Sequence, residues 1–151
     1  MKKKENKNIW YTTINIDIFA TSIIVIVCDD KETIKKDTPE IDRKLGTVNL
    51  LTSWADKTLS DNFLYSHTAQ APNGLGDVIV FFNAENPGNV SYETMVHEFH
   101  HATYYLCEFR GIDDEETEAY LQQHLFHKML CKIDDWLDKQ KKVSKKPKKK
   151  A

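Results

Sequence analysis

"DVIVFFNAENPGNVSYETMVHEFHHATYYLCEF", residues 77–109, changes its period halfway along. The run from Val78 to Phe82 is continuously apolar, β-branched and aromatic, the composition of a strand. "NAENPGN" has the residues of a loop. Ser91 then stands where a helix N-cap belongs, because its hydroxyl can accept from a free N–H of the first turn. Glu93 suits the positive end of that turn. Beyond it Met95, Phe99, Ala102 and Leu106 recur at helical spacing, and Gly111 ends the pattern. A strand therefore leads through a capped loop into an amphipathic helix.

That helix carries His97-Glu98-Phe99-His100-His101, an HExxH pattern. Residues i and i+4 of a helix differ by about 40° in direction and one turn in height, so the imidazoles of His97 and His101 can converge on one small cation. Zinc takes neutral imidazole nitrogen readily, and three protein ligands leave a fourth position for water. Glu98 points beside that water, where it can take a proton and pass it to a leaving amine. His100 points about 100° away from its neighbour and reads as a surface residue.

A second helix follows the "RGIDDEE" turn, in "EETEAYLQQHLFHKMLCKIDDWLDK". Ala119, Phe126, Leu130, Ile133 and Leu137 form its expected buried stripe. Its acid-rich start offers Glu115, Glu116 and Glu118 as a third ligand, and the same acids suit the helix dipole without any metal. His124 and His127 read as helix-surface histidines that could serve as substitute ligands, and Tyr120 as a rim aromatic able to donate to a bound carbonyl. Upstream, "YTTINIDIF" alternates, placing Ile14, Ile16 and Ile18 on one face, and "SIIVIVC" is a buried-strand run. "DDKETIKKDTPEIDRKL" suggests short helical pieces with Pro39 near a start. "VNLLTSWADKTLSDNF" fits helix and strand equally. "NFLYSHTAQ" and "DVIVFFN" are two strands joined by "APNGLG", with His67 half-buried on the first. The fold class implied is α+β: a small, mostly antiparallel sheet packed on the histidine-bearing helix and on a second helix.

With "VHEFHHA", "RGI" and "ETEAY" in that order, the chain resembles the glutamate-type zincin metallopeptidases, in particular the small ones of phages and prophages. The resemblance covers about residues 77–130. It implies a minimal zincin-like fold and a Zn2+ ion held by His97, His101 and Glu116, the glutamate three residues before Ala119. It also implies that Ala119 permits close helix approach and that residue 120 supports the site. Tyr120 departs from the commoner Asp or Asn there.

Length and charge bound the rest. The 151 residues suit one domain. Four lysines fall within residues 1–7 and eight within 139–151, leaving nine basic against 22 acidic residues between them. The expected organisation is a basic extension over 1–8, a metallopeptidase domain over 9–138 and a disordered lysine-rich tail over 139–151. No aromatics are interleaved with the tail lysines, so a solubilising role is favoured over a weak nucleic-acid contact. Cys28, Cys107 and Cys131 show no CxxC spacing, which fits reduced thiols in a cytoplasm (of a bacterial host, if phage-encoded), and Cys107 and Cys131 read as core residues. The apolar run ending at Cys28 is too short to span a membrane and reads as β-structure rather than a leader. The expected activity is peptide-bond hydrolysis on a peptide or protein lying along an edge strand, taken as "DVIVFF". The alternatives are an inactive zinc-binding structural or regulatory phage protein and a nucleic-acid-associated adaptor. The oligomeric state is left open.

Overall fold

The structure is a computed structural model that describes residues 9–59, 63 and 65–144, with the backbone alone at 87, 88 and 139–144. In chain order its elements are β1 (Ile9–Ile16), β2 (Thr21–Cys28), α1 (Lys31–Leu45), α2 (Leu50–Trp54, continued by a π-turn over Ala55–Leu59), β3 (His67–Gln70), β4 (Val78–Asn83), α3 (Tyr92–Arg110) and α4 (Glu115–Ser144). The fold is α+β, as expected.

The four strands lie in the order β1-β2-β4-β3. β1 pairs antiparallel with β2, and β3 antiparallel with β4, while β2 and β4 run parallel. The two central strands are buried on both faces, which is why their sequences are continuous apolar runs, whereas β1 alternates. Ile23, Val25, Val27, Val78, Val80 and Phe82 face Met95, Phe99, Ala102 and Leu106 of α3 and Leu125, Met129 and Ile133 of α4. Ile24, Ile26, Ile79 and Phe81 face the other way, onto Ile34 and Ile41 of α1 and Leu50, Leu51 and Trp54 of α2. A second helical layer thus covers the far face of the sheet.

Several expectations change here. "DVIVFF" is not an edge: β4 is paired on both sides, and among the described residues the edge strands are β1 and β3. Ile18 leaves the face of Ile14 and Ile16, because a 3-10 turn at Asp17–Phe19 and a left-handed Ala20 reverse the chain there, and it is exposed. Pro39 lies inside one continuous α1. Burial of Thr33, Ile34, Thr38, Ile41 and Asp42 along one side outweighs the roughly 3 kcal/mol cost of an interior proline. The ambiguous stretch around Leu50 is helical. The buried stripe of α4 is centred on Leu125, Met129 and Ile133, with Phe126, Leu130 and Leu137 at its margin. Ala119 and Cys131 fall off that stripe and are exposed. α4 runs on to Ser144, past the boundary at 138, because lysine and glutamine sustain a helix already anchored by Ile133. The rest of the basic tail and residues 1–8 lie outside the described residues. No helix among the described residues is long and apolar enough to cross a membrane.

The β3–β4 turn packs on the end of α3. Gly76 has φ +81°, and a Cβ built there would overlap the ring of Phe109. Gly76→Ala is expected to cost about 2 kcal/mol from left-handed strain and overpacking together. Urea unfolding measures this, and a variant as stable as the parent would show that the Phe109 ring simply swings aside.

Candidate functional site

α3 forms where the sequence places it. The Ser91 hydroxyl accepts from Thr94 N–H at 3.2 Å, and Gly111, left-handed at φ 65°, closes the helix. Glu93's own backbone N–H, then the Ser91 hydroxyl, hold the Glu93 carboxyl below its ordinary range. The helix turns Met95, Phe99 and Ala102 into the sheet, so His97, His100 and His101 come to the exposed side.

The two histidines expected to share a metal do meet. His97 Nε2 and His101 Nε2 are 3.1 Å apart, with their rings edge to face at 85°. Two nitrogens held at zinc's usual bond length in a tetrahedral arrangement stand roughly 3.3 Å apart. The pair therefore fits a zinc ion with little rearrangement. His100 turns aside, its Nδ1 3.4 Å from Gln122 Oε1 on α4.

Glu98 differs from its neighbours. It is 5% exposed and faces the sheet edge. The Thr68 hydroxyl, from β3, lies 2.7 Å from Glu98 Oε2 and 2.9 Å from the Glu98 carbonyl oxygen, its one proton shared between them. β3 is therefore the open-edged strand that borders the histidine helix. Beside Thr68, His67 accepts from Trp54 Nε1 at 3.3 Å and has Nδ1 3.4 Å from the Tyr65 carbonyl, so the proton sits on Nδ1. His67 is half-buried, as expected. Thr68 was not anticipated, since its partner is 30 residues away and no local signal marks it.

Burial lowers the His67 pKa from 6.5, against the smaller raising effects of the Tyr65 carbonyl and the Glu98 charge. The unfolded chain thus takes up a proton near pH 6.5 that folded His67 refuses. Stability contributed by neutral His67 is present above pH 6.5 and falls as pH drops from there towards the folded value. Urea midpoints measured from pH 7.5 to 5.5 should decline less in His67→Gln, which keeps an acceptor for Trp54. Equal slopes in both proteins would reject this.

The third expected ligand is placed differently. Glu115 and Glu116 are exposed in the first turn of α4, and Glu118 beside them is half-buried. Burial first, and then the Glu118 charge, raise the Cys107 thiol, and Gln122 of α4 lies beside His100. Cys107 is six residues beyond His101, roughly 9 Å of helix rise. Among the described residues, no three His, Cys, Asp or Glu side chains gather into a metal-holding group. The acids at this helix start do serve it locally: the Asp114 carboxylate caps α4, accepting from Thr117 N–H at 2.9 Å. Tyr120 is exposed on α4, with His124 and His127 beyond it.

Comparison with family models, characterised proteins and solved structures yields no match for this chain.

Proposed function

We propose that this chain is a zinc-dependent peptidase of the glutamate-type zincin kind, with His97, His101 and Glu116 as metal ligands and Glu98 as general base and then general acid. The observation that carries the reading is the His97–His101 pair, 3.1 Å apart on one helix, with the buried Glu98 carboxylate held by Thr68 of the adjacent edge strand. A zinc ion held there would supply a Lewis acid that acidifies water. Glu98 would serve as the base that accepts a proton from water and as the acid that returns one to the leaving amine. Thr68 orients the carboxylate. An extended peptide pairs with the free edge of β3. The free cysteines suit a cytoplasm, that of a bacterial host if the resemblance to phage proteins holds.

Protein purified without chelator should hold about one zinc per chain. His97→Ala and His101→Ala should each lose it, and Glu116→Gln should weaken it while Glu118→Gln does not. Zinc content indifferent to both histidines would overturn the site. Loss in Glu118→Gln alone would move the third ligand two residues along and leave the rest standing.

The alternative reading is a zinc-binding protein that does not hydrolyse. Absence of cleavage across a quenched-fluorescent peptide library, with zinc bound, would select it. A nucleic-acid contact through the terminal lysines predicts salt-dependent DNA binding that disappears when residues 139–151 are removed.

A further inference from the structure

α4 carries another pair of metal-ligating side chains at i and i+4. Cys131 and His127 are both exposed, with Sγ 4.0 Å from Nε2. They border a groove of about 600 Å³ between α4 and the β1 end of the sheet, opposite Asn15 and Asp17. We propose that His127 and Cys131 chelate a thiophilic divalent cation, zinc or its heavier congener cadmium, at a site separate from the His97–His101 pair.

A tetrahedral ion with ordinary metal–sulfur and metal–imidazole bonds sets sulfur and nitrogen roughly 3.6 Å apart. Small rotations of two exposed side chains close the difference. On binding, the Cys131 thiol gives its proton to solvent, its sulfur bonds the ion, and His127 adds the Nε2 lone pair. Water fills the other positions. Lys128 and Lys132 line the same groove with Asp17 and Asp135, so the lining carries no net positive charge against a cation. A thiolate selects soft ions over magnesium or calcium. The remaining cysteines, Cys28 and Cys107, are buried, and burial pushes the Cys28 thiol up to about 11. Cys131 is therefore the thiol on which an added ion can act.

The test uses the full chain carrying His97→Ala and His101→Ala, titrated with cadmium alone. The sulfur-to-cadmium charge-transfer absorption should rise, and Cys131 should become protected from iodoacetamide. Cys131→Ser should abolish the absorption, and His127→Ala should weaken cadmium binding at least about tenfold, because a chelate's second contact is made at high effective concentration. The proposal fails if the absorption survives Cys131→Ser, if Cys131 stays reactive, or if His127→Ala binds as tightly as its parent. It also fails if cadmium binds only by joining two chains, which sedimentation would show. None of these readouts depends on peptidase activity.

Discussion

Glu98→Gln is expected to keep its zinc and to lose peptide hydrolysis by about 10²–10⁴-fold, the usual size of a general acid–base contribution. The substitution is nearly isosteric. The amide carbonyl can still accept from the Thr68 hydroxyl, which lies 2.7 Å from Oε2, so packing at this buried position is preserved. What disappears is the ability to take a proton from water. Zinc content and turnover on a peptide library therefore separate in this variant, whereas they fall together in His97→Ala. Thr68→Val should lower turnover less, with zinc unchanged, and Thr68→Ser should restore it, because a hydroxyl and not a β-branched shape is required. Wild-type turnover in Glu98→Gln would remove Glu98 from the chemistry altogether.

Asp42→Ala should cost about 3–5 kcal/mol, the largest stability loss we expect from one polar substitution. Asp42 is buried near the end of α1, and its carboxylate accepts from Leu51 N–H at 2.9 Å, Thr52 N–H at 3.0 Å, and the hydroxyls of Thr47 at 2.7 Å and Thr52 at 2.9 Å. It does the work of an N-cap for α2, whose own Asn49 makes no side-chain capping bond. Alanine leaves those donors without their shared acceptor, the Leu51 N–H among them buried. Against a typical total of about 5–15 kcal/mol, the variant would be close to unfolding. Asp42→Asn, with one acceptor oxygen retained, should lose roughly half as much. Urea unfolding gives both numbers. A loss under about 1 kcal/mol for alanine would mean that water satisfies the start of α2.

Local rules carried the sequence a long way around the histidines. Ser91 and Gly111 bound α3 as their chemistry demands, and the i, i+4 spacing alone brought the two imidazoles together. The same rules misplaced Cys131. The expected stripe of α4 ran through Phe126 and Leu130, but the helix sits on the sheet through Leu125, Met129 and Ile133, a small rotation that leaves Cys131 outside. They also broke the helix near Pro39, where contact with the sheet keeps α1 whole.

The sequence by itself determined the strand-to-helix passage at residues 77–110, the histidine pair, and the α+β class, because caps and periodicity act within one or two turns of chain. Only the tertiary structure decided that β4 is interior and β3 the open edge, that Thr68 meets Glu98 across 30 residues, and that Asp42 caps α2. It also decided the register of the α3–α4 hairpin, which brings Gln122 beside His100. Each of these depends on which surfaces bury one another. A strand's apolar run or a lone threonine looks the same in sequence whatever partner the folded chain brings to it.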